Sequence, residues 1–422
     1  MNCLTRRGFG CLAGATCLAA LAPRMAFAQS KGRVVVIGGG VGGTTVAKYL
    51  ALSSKEIEVT LVEPKRRYTT CFFSNLYLAD LRSFESLTHG YEALSGRHGI
   101  NVIHDWAVAI DPIKKTVRLK GGKHLPYDRL VVAPGIGFRF DAIEGYDAVA
   151  ASALPHAWVA GRQTKLLKRQ LHAMPDGGLF VIVAPPDPFR CPPGPYERAS
   201  MMAYYFKRHK PRSKIIILDA KDSFFEQDLF QEAWSRLYPG MIEWLPAQFT
   251  GGVKSIDARE RVIKTAHDSF KAAVANVIPP QMAGSLARQA GLADQSGWCP
   301  VDPTSFESTL QPGVHLVGDA ITLGDMPKSA YATNSQAKAC AFAIAAALSG
   351  SERPTPRLFN TCFTFLAADD AVADAISFKL ADGTVKIADL FITKVEASAE
   401  ERAQAVRQAE GWYSAFTHDM FG

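Results

Sequence analysis

The chain has no Cys-x-x-Cys-His motif, no apolar run after its first 28 residues long enough to cross a bilayer, and no strong charge of either sign. Each absence removes a class of function. Without the motif, the chain cannot attach a c-type haem itself. Without the apolar run, no integral membrane segment is expected; "CAFAIAAAL" is short and reads as a buried helix. The formal charge of +7 falls to +4 when Arg6, Arg7 and Arg24 of the first 28 residues are set aside (7 − 3), too mild to argue for nucleic acid. Cysteine is scarce: of eight, Cys3, Cys11 and Cys17 lie in that stretch, leaving Cys71, Cys191, Cys299, Cys340 and Cys362. An odd number in an oxidising compartment leaves at least one unpaired or otherwise used. No metal site is expected. With 48% hydrophobic and 21% charged residues the chain is globular, and 422 residues imply two or three domains.

Residues 1–28 read as an export signal. Thr5-Arg6-Arg7-Gly8-Phe9 precedes a mild apolar run that ends in Ala26-Phe27-Ala28, a small-x-small cleavage site. The paired arginines point to the twin-arginine route and hence to the periplasm. An ordinary secretory signal is the plainer alternative.

"RVVVIGGGVGGTT" is a buried strand running into Gly38, Gly40 and Gly43, spaced G-x-G-x-x-G, with a helical pattern behind. Those glycines permit a tight turn and bring a pyrophosphate onto helix N–H groups. "IEVTLVEP" then supplies a second strand ending in Glu63, placed to accept from a ribose hydroxyl. "LPYDRLVVAPGIGF" and "TLQPGVHLVGDA" are two further strands, the second ending in Gly318-Asp319. The pair resembles the signatures of flavoproteins with two dinucleotide-binding domains. That likeness implies FAD, with Asp319 on its ribityl chain. It also implies a helix after Asp319 aiming backbone groups near Asn334 to Gln336 at the flavin.

The middle of the chain repeats the frame without the fingerprint. "GLFVIVA" and "KIIILDA" are strands, but between them "PPDPFRCPPGPYER" holds Pro185, Pro186, Pro188, Pro192, Pro193 and Pro195. Proline has no N–H to offer a phosphate and cannot take positive φ, so NAD(P)H is not expected here. The turn carries Cys191 at the ligand-binding end of its strand, where it would face a flavin and suit thiol–disulfide exchange. Cys191 also precedes a helix start, which would favour its thiolate. A partner thiol is needed. Cys340 reads most simply as core, Cys299 as structural, and Cys362, in "FNTCF", stands just after the helix expected to meet the flavin.

Cys71, in "RRYTTCFFSN", sits just beyond Glu63. It is either a core cysteine before two phenylalanines or the site of a thioether to the flavin 8α carbon. With "YTTCFFSN", "CPPGPYER", "VGDA", "MPKSAYATNSQAK", "FNTCF" and "WYSAFTHDMFG", the mature chain resembles the flavoprotein subunit of flavocytochrome c sulfide dehydrogenase. The resemblance implies covalent FAD at Cys71, a redox-active Cys191–Cys362 disulfide, Glu197 as acid–base group and Trp412 near the active site. It implies hydrogen sulfide as substrate and a separate c-type cytochrome subunit as electron acceptor. The fold implied is α/β, with two Rossmann-like domains of the glutathione-reductase type and a small C-terminal α+β domain. Its divisions are residues 29–152 with 279–352 (FAD-binding), 153–278 (middle, without a nucleotide site) and 353–422 (interface). Two other functions stay open: a sulfide:quinone oxidoreductase, and an auxiliary flavoprotein of a thiosulfate-oxidising system. Against the quinone reading, the tail from Val395 to Trp412 lacks a strongly apolar face.

Overall fold

The computed structural model describes residues 32–422, so the export signal with Arg6 and Arg7 lies outside the described residues. The chain enters through β1 (Gly32–Ile37), buried at every position but Arg33. It turns at Gly38–Gly40 into α1 (Val41–Ser53) and returns as β2 (Ile57–Val62). A loop carrying Cys71 leads to the short α2 (Ser74–Leu78), followed by β3 (Asn101–Ile103) and β4 (Arg129–Val132). The middle segment supplies β5 (Leu179–Ala184), α3 (Gly194–His209), β6 (Lys214–Asp219), α4 (Gln227–Leu237), β7 (Ile242–Leu245) and β8 (Val274–Val277). The chain then recrosses to add β9 (Val314–Leu316) and α5 (Ala330–Ser349) to the first unit. The tail is β10 (Leu358–Ala367), β11 (Asp370–Ala381), β12 (Thr384–Ile392) and α6 (Ala399–Phe421).

Two parallel sheets result. The first runs β9-β4-β1-β2-β3 and the second β7-β6-β5-β8. Their strands are runs of Val, Ile and Leu because helices cover both faces, leaving no solvent side for polar residues. The architecture is α/β and Rossmann-like. In each sheet the central strand, β1 or β5, has its successor on one side and a later strand on the other. That reversal opens a crevice at the strands' C-terminal ends. The glycine turn occupies this position in the first sheet and the proline turn in the second.

The tail folds as a three-stranded antiparallel sheet and one long helix. Asp382 and Gly383, with φ of 52° and 75°, make the two-residue turn between β11 and β12. Helix α6 buries Ala405, Ala409, Tyr413, Phe416 and Met420, a stripe of helical period. Alanine and aromatics build this stripe, so it is weak in sequence yet packs against the protein. No helix among the described residues is long and apolar enough to cross a membrane.

Candidate active site

The glycines of the first turn have separate duties. A Cβ on Gly38 (φ 103°) would stand 2.3 Å from the Ala133 carbonyl oxygen, and one on Gly43 would stand 1.8 Å from that of Gly38. Both therefore serve close backbone packing. Gly40, the residue before α1, meets nothing nearer than the Tyr68 ring at 3.5 Å and leaves that helix start open. At the end of β2, Glu63 accepts from the Gly39 N–H (2.8 Å) and the Lys65 N–H (2.9 Å), which orients its carboxylate beside the turn. After β9, Asp319 accepts from Arg190 Nε at 2.7 Å, while its Oδ1 is buried without a partner.

The helix after Asp319 corrects one expectation. It starts at Ala330, capped by Ser329 accepting from the Ala332 N–H. Asn334 to Gln336 lie inside it, where backbone N–H groups serve the helix itself. The Asn334 side chain donates to Thr45 and Asp419, and Gln336 accepts from the Gly318 N–H. The Ala332 and Thr333 amides are spent on Ser329, so the open ones are those of Ala330 and Tyr331, ahead of Asn334.

The proline turn spends its own donors. The Gly194 N–H donates to the Cys191 carbonyl, and those of Tyr196 and Glu197 donate to Pro193. Pro195 has none, so the start of α3 offers little to an anion. Beside it a cleft of about 500 Å³ persists, lined in part by Val183, Pro185, Pro186, Asp222 and Gly251. Cys191 holds a left-handed φ of 59°, which few non-glycine residues adopt. The turn keeps one glycine: a Cβ on Gly194 would stand 2.7 Å from the Trp158 ring and 3.0 Å from Cys191 Sγ. Its bare Cα makes room for that sulfur.

Cys71, Cys191, Cys362 and Glu197 are each closely surrounded yet only half-buried. Trp412 ties the Cys71 and Cys362 segments together. Its ring packs on Phe72 and Phe73 after Cys71, on Phe363 after Cys362, and on Tyr331 at the start of α5. Its Nε1 is buried without a partner. Glu197 Oε2 accepts from Asn75 (2.6 Å) and Oε1 from the Phe365 N–H (3.0 Å). Burial raises its pKa above the ordinary carboxyl range despite both bonds.

All five cysteines among the described residues are free thiols here; Cys299 and Cys340 are fully buried. Burial raises the Cys191 thiol pKa, with Glu197 adding to the rise. The expected lowering by a helix start is therefore absent, since that helix's amides are already used. Cys362 is also pushed up, by burial and then by Asp374, Cys191, Glu226 and Glu197.

Sequence reading missed the charged supports. Arg190, next to Cys191, pairs with Asp319 across the two units. Arg198, next to Glu197, is 2% exposed. It donates to Asn75 Oδ1 (3.0 Å), Asn276 Oδ1 (2.7 Å) and the carbonyls of His156 and Ala157. Burial lowers its pKa to about 10. Asn75 thus joins Arg198 to Glu197. Both arginines adjoin singled-out residues, and that adjacency was the only signal. Glu226 and Asp374 carried none.

The first crevice suits a flavin dinucleotide. An open helix start stands where a pyrophosphate would lie, Glu63 where a ribose would, and the unpartnered Asp319 oxygen awaits a hydroxyl donor. Comparisons agree. Residues 32–165 match the family model "Pyridine nucleotide-disulphide oxidoreductase". Residues 164–279 match "Sulfide dehydrogenase (flavocytochrome c) flavoprotein chain, central". Residues 354–421 match "Flavocytochrome c sulphide dehydrogenase, flavin-binding". The flavocytochrome c sulfide dehydrogenase flavoprotein chain of Chlorobaculum thiosulfatiphilum is 60% identical over 43 residues, 10% of this chain and 90% of that sequence. The sulfide-quinone reductase of Aquifex aeolicus is 34% identical over 183 residues, 43% of this chain and 41% of that one. In structure, the sulfide:quinone oxidoreductase of Aquifex aeolicus aligns over 92% of each chain with a TM-score of 0.69 at 18% identity.

Proposed function

The chain belongs to the family of flavocytochrome c sulfide dehydrogenase flavoprotein chains, and from that premise we propose that it oxidises hydrogen sulfide to sulfur or polysulfide and delivers the electrons to a separate c-type cytochrome. The observation that carries this reading is the meeting of the Cys71, Cys191 and Cys362 segments around Trp412 and Glu197. Export through the twin-arginine route to the periplasm belongs to the same reading.

Cys71 anchors FAD through a thioether, and Gly38, Gly40, Gly43, Glu63 and Asp319 hold it. When bound, FAD supplies the two-electron oxidant. Cys191 and Cys362 form the redox disulfide. Hydrosulfide adds to one Sγ, the S–S bond breaks, and the other sulfur leaves as thiolate. A second hydrosulfide takes the outer sulfur as hydrodisulfide, freeing both cysteines for reoxidation to the disulfide. Glu197 has a raised pKa and fixed oxygens, which suits it to accept and return protons at these sulfurs. Trp412 and the phenylalanines beside it keep water from the sulfur chemistry.

The test is anaerobic rapid mixing of the flavin-loaded protein with sulfide. Bleaching of the flavin absorbance is expected; an oxidised spectrum at every sulfide concentration overturns the reading. The likeness to sulfide:quinone oxidoreductases favours a quinone acceptor as the second reading. Reoxidation by a c-type cytochrome and not by a short-chain quinone separates the two.

A further inference from the structure

Cys362 has neighbours that the sulfide reading leaves unused. Asn360, Cys362 and Thr364 alternate onto one face of β10, and Asp374 on β11 stands directly opposite Cys362. Asp374 is 2% exposed, and its Oδ1 accepts from Asn360 Nδ2 at 2.8 Å. Asn360 in turn accepts from the hydroxyl of Ser329, the cap of α5. Glu226 enters from the start of α4 with a left-handed φ of 64°. It is 9% exposed; its Oε2 accepts from the Thr364 hydroxyl at 3.3 Å, and its Oε1 is buried with no partner. A carboxylate with an unsatisfied buried oxygen is costly; a carboxylic acid beside a sulfur that takes up charge is not.

We infer that Glu226 and Asp374 are held as neutral carboxylic acids beside Cys362 and furnish the proton that its sulfur takes up in each catalytic cycle. The inference rests on the sulfide reading. Cys362 Sγ receives an electron pair once per cycle whichever cysteine is attacked. It does so as the leaving thiolate when hydrosulfide adds to Cys191, or as the thiolate released when its own persulfide is discharged. A proton moving from the Glu226 carboxyl to that sulfur leaves a carboxylate and a thiol. When the disulfide re-forms, the Cys362 proton returns to Glu226, and bound FAD would serve as the two-electron oxidant.

The surroundings favour this protonation state. Burial raises the Asp374 pKa to about 7 and the Glu226 pKa to about 8, with Asp374 and Glu197 adding to the Glu226 rise. No cation among the described residues offsets either shift. The turn contributes Cys191, and α3 contributes Glu197 and Arg198, the last directed at Asn75 and Asn276. Arg402 on α6 is spent on Asp370 and Glu232. Once ionised, both carboxyls oppose a thiolate at Cys362. The sulfide step therefore slows as pH rises through their ionisation.

Two measurements on flavin-loaded protein test this. In rapid mixing with sulfide between about pH 6 and 9, Glu226→Gln should cut the rate at neutral pH by about tenfold or more and leave only the part of the alkaline decline that follows Asp374. Asp374→Asn should shift that decline to lower pH, since a neutral neighbour no longer opposes ionisation of Glu226. Wild-type profiles in both variants overturn the inference. Separately, Cys362 in reduced protein should react with iodoacetamide about tenfold faster at pH 8 in Glu226→Gln, for each unit by which its thiol pKa falls. Unchanged Cys362 alkylation in both variants overturns the inference even where sulfide leaves the flavin oxidised. Altered alkylation with no flavin reduction in the wild type overturns the sulfide reading alone.

Discussion

Replacing Arg190 by Met should destabilise the protein strongly, although the residue lies on a loop. Its Nε meets Asp319 Oδ2 at 2.7 Å, with the two side chains 16% and 13% exposed. Asp319 Oδ1 already lacks a partner, so the substitution leaves a buried carboxylate with neither oxygen bonded to a side chain. Breaking one side of such a pair costs about 3–5 kcal/mol, because the surviving carboxylate loses its hydrogen-bonded cation and keeps only the nearby Lys328 ammonium, which is spent on backbone carbonyls. The described chain has 391 residues (422 − 31). At about 2.1 cal/mol/K per residue its unfolding entropy is about 0.8 kcal/mol/K, so Tm should fall by about 4–6 °C. Asp319→Asn in the same background removes the stranded charge, and the double variant should recover more than half of the loss. Calorimetry of wild type, both single variants and the double variant at pH 7 measures the coupling. A single Arg190→Met variant melting within about 1 °C of wild type, or strictly additive losses, refutes the reasoning.

Cys71→Ala should release yellow colour on acid precipitation, whereas the wild-type pellet keeps it; free flavin from the wild type would defeat the thioether. Cys191→Ser and Cys362→Ser should each abolish sulfide-driven bleaching while dithionite still reduces the flavin, and turnover near the wild-type rate in either would remove the disulfide mechanism. NADH should not bleach the flavin at a useful rate, because the start of α3 has no free donors for a pyrophosphate; fast bleaching would show a nucleotide site elsewhere. Stability should fall as pH rises from about 5 to 9. Glu226 and Asp374 bind protons more tightly folded, at about 8 and about 7, than at their ordinary values of 4.5 and 3.8. The native state therefore holds extra protons that rising pH removes. Urea titrations across this range should show a shallower decline in Glu226→Gln, and an equal slope would contradict the buried acids.

What could be read in advance follows from how local the signal is. The glycine turn, the two strands around the proline turn and the Asp382-Gly383 hairpin are each written within a few residues, so their placement was legible. The fit of Gly194 against Cys191 and Trp158 was not, because it needs a residue from far upstream. The same holds for Arg190 and Asp319, 129 positions apart, and for Asn75 and Glu197, 122 apart. Asp374 is a different case. It falls in phase with the inward Val372, Ile376 and Phe378, but only the register of β10 against β11 puts it opposite Cys362. Glu226 is hidden further by its backbone, since a left-handed glutamate at a helix start has no compositional mark. The backbone groups near Asn334 to Gln336 were expected at the flavin, but the Ser329 cap starts the helix at Ala330 and places them inside it.

The proline turn shows how one substitution of turn chemistry redirects a whole crevice. In a nucleotide site the glycines leave helix N–H groups pointing outward, and the ligand's charge satisfies them. Here the prolines remove donors, and the remaining ones close on Cys191 and Pro193. The positive end of α3 is thereby internally satisfied, and the crevice loses its attraction for phosphate without losing its position at the strand ends. The same start of α3 then carries three residues of different use within eight positions: Cys191 before it, Glu197 in its first turn and Arg198 next. Because α3 packs against β10, Glu197 reaches Phe365 of the strand that carries Cys362, while Arg198 turns to Asn75 and Asn276. A sulfur on a flexible loop would seldom meet its partner. Here the left-handed φ of Cys191, the bare Cα of Gly194 and the Lys328 carbonyl accepting from the Cys191 N–H hold it in one place. Loosening any of the three should slow disulfide formation more than it lowers stability, since the strain they impose is confined to one residue.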